Sequence, residues 1–136
     1  MAQLHRLPPL SDAQLEIMRV VWDRGAVTVG EVWEALSPQR SLSRRRPIAR
    51  NTVQTVITRL AQKGWLKHRK QGRAFLFRAT APRDATLRGM VRRLVDTVFS
   101  GSAEGLVLAM LEGRGLSREE ADRIRKLIDN ARENPS

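Results

Sequence analysis

Between residues 47 and 78 the spacing of apolar side chains changes from a helical period to a strand period within a few positions, and this switch constrains the chain more than any other feature. Val53, Val56, Ile57 and Leu60 recur at i, i+3, i+4 and i+7, the signature of one buried helical stripe. At about 100° per residue the opposite side collects Asn51, Thr55, Thr58 and Gln62, flanked by Gln54 and Arg59. All six can form hydrogen bonds and none is acidic. A face that only meets water usually mixes in Glu and Asp, so this one reads as built for an anionic or base-edge partner. Gly64 ends the helix, with Lys63 as a cation in its last turn.

The following residues predict a short β-hairpin: strands over 65–70 and 73–78 about a Gln71-Gly72 turn, with Arg69, Lys70 and Arg73 at the tip. A helix with a polar reading face, followed at once by a basic-tipped hairpin, is the plan of a winged helix-turn-helix. Charge agrees with it. Residues 1–80 hold 15 Lys and Arg against 5 Asp and Glu, whereas residues 81–136 hold 10 against 9. Nearly all of the net +11 therefore belongs to one segment.

Upstream, Ser11 with Gln14 and Thr28 with Glu31 predict two capping boxes, each opening a helix. The first helix should bury Leu15, Met18 and Trp22, widened by Ile17 and Val21, and stop at Gly25. The second should turn Val29, Val32, Trp33 and Leu36 inward, and Ala26-Val27 between them reads as a short extended link. Residues 37–50 are long for a helix connection and carry Arg40, Arg44, Arg45, Arg46 and Arg50. They read either as a solvated basic loop or as a segment lying along a sugar-phosphate backbone.

Ala81-Pro82 marks a boundary. Asp84 is placed to cap a helix over 85–99 with Leu87, Val91, Leu94, Val95, Val98 and Phe99 as its apolar set. A short helix over 104–112 follows, containing Leu106, Leu108 and Leu111. A third Ser/Glu pair, Ser117 and Glu120, opens a last helix with Ile124, Leu127 and Ile128 on one side. Three short helices of this kind are hard to stabilise alone. They predict a twofold dimer that buries Leu87, Val91, Leu94, Val98, Leu106, Leu108, Leu111, Ile124, Leu127 and Ile128.

Other chemistry finds little support. The chain has no cysteine and two histidines, so no metal or cofactor is expected. No phosphate-binding loop or nucleophile motif occurs, so no catalytic residue is assigned and the chain is not read as an enzyme. Trp22, Trp33 and Trp65 read as packing residues rather than stacking platforms, and His68 as a neutral or phosphate-facing group. No apolar run is long enough to span a bilayer and the N-terminus lacks a signal-peptide core, which predicts a cytoplasmic protein without membrane insertion.

The runs LSDAQLEIMRVVWDRGAVTVGEVWEAL, NTVQTVITRLAQKGWLKHRKQGRAFLFR and VFSGSAEGLVLAMLEGRGLSREEADRIRKLID resemble the penicillinase-repressor (BlaI/MecI/CopY) family of bacterial regulators, most specifically in the block TVQTVITRLAQKGWL. The resemblance implies a winged-helix head, a helical dimerisation tail and repression at a dyad operator. It puts Asn51, Thr52, Gln54, Thr55 and Arg59 where the family's reading helix contacts DNA, and Arg69, Lys70 and Arg73 on its wing. Absence of the paired C-terminal cysteines of the copper branch argues against a copper response. In the β-lactam branch a membrane metalloprotease sensor cuts an Asn-Phe bond, and the matching position here is Ala109-Met110.

The sequence thus predicts a mainly α chain with a small β-hairpin wing: a winged helix-turn-helix DNA-binding domain at 1–80 and a three-helix dimerisation domain at 81–136. The function predicted is a homodimeric repressor of double-stranded operator DNA. Its DNA contacts would be Arg50, Asn51, Thr52, Gln54, Thr55, Thr58, Arg59, Gln62 and Lys63, with Arg69, Lys70 and Arg73 on the hairpin. The alternative is a basic RNA-binding or ribosome-associated protein.

Overall fold

A computed structural model describes residues 7–37 and 48–133. Six helices and one hairpin occur among them: α1 (Asp12–Arg24), α2 (Val29–Ala35), α3 (Arg50–Gln62), β1 (Leu66–Gln71), β2 (Ala74–Ala79), α4 (Arg83–Val98), α5 (Ala103–Gly113) and α6 (Arg118–Glu133). The chain forms two compact units, Met1–Gly89 and Met90–Ser136. The arginine-rich segment 38–47, with Arg40, Arg44, Arg45 and Arg46, lies outside the described residues, as does His5.

Both predicted capping boxes of the first unit form. The Ser11 hydroxyl accepts from the Gln14 N–H at 3.2 Å while the Gln14 side chain accepts from the Ser11 N–H at 2.9 Å. Thr28 and Glu31 repeat the exchange at 3.2 and 2.9 Å. Each box satisfies two backbone donors that a helix start would otherwise leave unpaired, a contribution of about 1 kcal/mol.

The core of this unit joins Ile17, Met18, Val20 and Val21 of α1, Val32 and Leu36 beside α2, Val53, Ile57 and Leu60 of α3, and Val27, Trp65, Leu66 and Ala81. The predicted α3 stripe is buried as expected, with Val56 only partly covered. On α1 the buried face is rotated from the expected one. Val20 is buried, whereas Leu15 and Trp22 are only partly so. The reason lies in Trp22, whose indole N–H donates to the Ala81 carbonyl at 2.9 Å, so the ring sits at the rim where its polar end finds a partner. Trp33 departs further. It is 38% exposed and donates to the Ile48 carbonyl at 2.9 Å instead of filling the core. Trp65 is buried and donates to the Pro8 carbonyl, which ties the lead-in segment to the core. All three tryptophans therefore tie separate parts of the chain together through indole N–H bonds to backbone carbonyls, and Trp22 and Trp65 also pack against the core.

The end of α3 has a Schellman arrangement: the Trp65 N–H reaches the Leu60 carbonyl at 2.9 Å and the Gly64 N–H reaches Ala61 at 3.1 Å. Gly64 adopts φ +94°, and an added Cβ would come within 3.2 Å of Leu7 Cδ2. At the other end Ala49 supplies no side-chain cap, and α3 starts at Arg50.

The hairpin turn falls one residue later than expected. Gln71 pairs with Ala74, so the two-residue loop is Gly72-Arg73 rather than Gln71-Gly72. Gly72 has φ +63° and Arg73 does not, the pattern of a turn that wants glycine at its first central position. Val27 adds an isolated bridge to Phe77, with bonds of 2.9 and 2.7 Å, and this fixes the predicted extended link against β2.

At the start of α4, Asp84 does not cap. The helix begins at Arg83, Asp84 lies in its first turn and pairs with Arg83 at 2.8 Å, and the buried Thr86 hydroxyl donates to the Pro82 carbonyl.

In the second unit Ser102 caps α5 through the Gly105 N–H at 2.9 Å, a cap not foreseen from the sequence, and Ser117 accepts from the Glu120 N–H at 3.1 Å as predicted. No residue of α5 is buried. Val98, Leu108, Leu111, Leu127 and Ile128 are all exposed, Leu127 by 67%. No single described helix is long and apolar enough to cross a membrane.

Ile57 is fully buried on α3. Ile57→Ala is expected to lower unfolding free energy by about 2–5 kcal/mol in urea titration, whereas Lys63→Ala, exposed at the end of the same helix, should change it by less than about 0.5 kcal/mol.

Candidate nucleic-acid interface

Because Val53, Ile57 and Leu60 are held in the core, the rotation of α3 about its axis is fixed, and the predicted polar face has to point outward. Arg50, Asn51, Thr52, Gln54, Thr55, Thr58, Arg59, Gln62 and Lys63 are all exposed. The structure therefore brings Asn51, Gln54, Thr55, Thr58, Arg59 and Gln62 together on the side away from the core, with no acid among them, while Arg50, Thr52 and Lys63 flank the buried stripe.

Their hydrogen bonding refines what they can offer. The Thr55 hydroxyl donates to the Asn51 carbonyl at 2.9 Å, and the Thr58 hydroxyl to the Gln54 carbonyl at 2.8 Å. Both threonines have therefore spent their one donor on their own helix. They present a methyl group and oxygen lone pairs outward. Asn51 and Gln54 keep side-chain amides with paired donors and acceptors, the groups suited to bidentate contacts. Arg59 and Lys63 make no ion pair among the described residues. Arg50 is placed differently. Its guanidinium lies over Gly30 at the start of α2, with Nη2 within 3.2 Å of where a Cβ would stand.

The three expected hairpin cations do not share a face. Opposite residues of an antiparallel pair point to the same side, and Leu66, Phe77 and Ala79 turn toward the core. Lys70 lies on that side, near the tip, opposite Phe75. His68 packs edge-on against Phe75, with ring centres 5.3 Å apart, and lies 5.6 Å from Phe77. Arg69 is on the outward side with Lys67 and Arg78, and Arg73 sits in the turn. Lys67 and Arg78 were not among the residues picked from the sequence. Strand alternation was the signal that would have found them. No group of three His, Cys, Asp or Glu able to hold a metal occurs among the described residues.

Comparison with known proteins bears on both units. The chain is 29% identical over 126 residues to the penicillinase repressor of Bacillus licheniformis, covering 93% of this chain and 94% of that one. A solution structure of monomeric Bacillus licheniformis BlaI in complex with the blaP half-operator is 33% identical, with a TM-score of 0.45 over 57% of this chain and 88% of that chain. A crystal structure of wild-type MarR from Escherichia coli, in its apo form, matches with a TM-score of 0.52 at 17% identity, over 90% of this chain and 77% of that chain, a likeness of fold. The model of the penicillinase repressor family matches residues 10–130, and the chain belongs to that family.

Proposed function

We propose that this chain is a transcriptional repressor that binds double-stranded DNA as a homodimer in the cytoplasm, and we assign it no catalytic step. The observation that carries the reading is the outward face of α3, where the exposed side chains of Asn51, Gln54, Thr55, Thr58, Arg59 and Gln62 can all form hydrogen bonds and none is a carboxylate. A helix of this kind fits the major groove, where each base pair offers a distinct set of donors and acceptors. Membership of a repressor family supports the reading. It lends no support to an RNA-binding role.

In this reading Asn51 and Gln54 pair bidentately with adenine, and Arg59 meets guanine or a phosphate. Thr55 and Thr58, with their hydroxyl protons engaged, offer methyl groups to thymine. Arg69, Lys70 and Arg73 supply affinity that does not depend on sequence. Residues 1–80 serve as the DNA-binding domain and 81–136 as the dimerisation domain. The exposed apolar residues of α4, α5 and α6 support a role for the tail in joining two copies, because so much uncovered Leu and Val calls for a partner surface. Two heads on a twofold axis would read a pseudo-palindromic operator. Release by a membrane metalloprotease would require cleavage at Ala109-Met110, which lies within α5 with both residues exposed in the single chain.

The test uses duplexes selected by the protein from a randomised pool, titrated beside scrambled controls. Gln54→Ala should lower discrimination at one base pair by about 1–3 kcal/mol while leaving binding to scrambled duplex unchanged. Arg73→Ala should weaken both duplexes alike and flatten the dependence of log K on log salt by roughly one unit. Equal losses on both duplexes from Gln54→Ala would show that α3 does not read bases.

For assembly, Leu127→Asp places a charge on a side chain that is largely exposed in the single chain. Sedimentation should then report monomers where the wild type gives dimers, with thermal stability of the head unchanged. A wild type that sediments as a monomer at micromolar concentration contradicts the dimer.

A further inference from the structure

The register of the hairpin sets two cations directly opposite each other, Lys67 against Arg78. Phe77 spends its N–H and its C=O on Val27, so toward β1 the pair His68 and Phe77 is not hydrogen bonded. By the alternation of an antiparallel ladder, Lys67 and Arg78 form the hydrogen-bonded pair beside it, with Cα atoms about 5.5 Å apart. Both side chains leave from the face turned away from the core. Arg69, two residues along β1, projects from the same face opposite Leu76. All three cations are exposed, and none makes an ion pair among the described residues.

Like charges directly opposite one another destabilise a hairpin, and a hairpin of two short strands has little stability to spare. This arrangement opposes folding, so a reason for it has to lie in what the face meets. The patch measures about 5.5 Å across the strands and about 6.8 Å along β1. One strand of a duplex carries a negative charge every 3.4 Å or so of helix axis, a density that puts more than one phosphate within reach of such a patch. β1 begins four residues after α3 ends, so the patch is tethered close to the proposed reading helix.

We propose that Lys67, Arg78 and Arg69 form a phosphate clamp on the outward face of the wing, gripping the sugar-phosphate backbone beside the groove that α3 enters. The clamp is distinct from the tip cations Lys70 and Arg73, and it rests on the reading of α3 as a DNA-binding helix. Two neutralised phosphates steepen the salt dependence of binding by nearly two units without adding sequence preference. The clamp therefore exchanges a little stability of the fold for affinity, so its removal should move stability and binding in opposite directions.

The experiment compares wild type, Lys67→Gln/Arg78→Gln and a charge-matched control, Arg123→Gln/Lys126→Gln on α6, on selected and scrambled duplexes from 50 to 200 mM salt. The hairpin variant should lose affinity equally on both duplexes, and its salt slope should fall by about two units. The drop in affinity across that salt range should then shrink on the order of tenfold relative to wild type. Its thermal midpoint should rise by about 1–5 °C as the like-charge pair is removed. The control should keep the wild-type slope. An unchanged slope in the hairpin variant, an equal loss in the control, or a lower midpoint overturns the clamp while the reading of α3 stands. A wild type that ignores duplex DNA altogether removes that reading, and the clamp with it.

Discussion

Burial of Val53, Ile57 and Leu60 beneath α1 and α2 decides which face of α3 the first unit turns outward. Each of these side chains contributes about 1.5–3 kcal/mol by leaving water, far more than any exposed residue of α3 gains by its own rotation. The helix is therefore locked about its axis, and Asn51, Gln54, Thr55, Thr58, Arg59 and Gln62 face outward as a consequence. The Schellman closure at Gly64 then aims the chain into β1, so the hairpin follows the helix after one short turn. The polar face of α3 and the hairpin are thus set by the same core.

Much of this was legible in the residues, for physical reasons that differ from place to place. The capping boxes at Ser11 and Thr28 were readable because they are local: side chain and backbone donor lie three residues apart. The α3 stripe was readable because its period is regular and its apolar residues are uninterrupted. Trp22 and Trp33 misled because their size marks them as core while their N–H groups seek carbonyls at the rim, and those carbonyls come from distant sequence. The hairpin turn was misplaced by one residue because Gly72 serves equally well as first or second residue of a tight loop. Register decided it, with Gln71 pairing with Ala74, and register is a property of two strands together rather than of the turn residues alone. The division of the wing cations between two faces follows from strand alternation alone, and what the register added was the direct opposition of Lys67 and Arg78.

The two units differ in how they satisfy their own apolar residues. The first encloses a buried cluster drawn from α1, α2, α3, β1 and the segments joining them. The second leaves α5 without one buried residue. A unit that leaves its Leu and Val uncovered within one chain is the part for which we propose a second copy as partner. The head, by contrast, is complete in the single chain and carries most of the positive charge. In the proposed repressor this separation lets assembly and recognition be altered independently.

The central claim, that the outward face of α3 meets duplex DNA, is tested most directly by amide hydrogen exchange on the full-length protein with and without a selected duplex. Protection confined to residues 50–78, covering α3 and the hairpin, is the predicted result. Protection appearing only in α5 and α6, or no change anywhere under conditions where the duplex is bound, would contradict it.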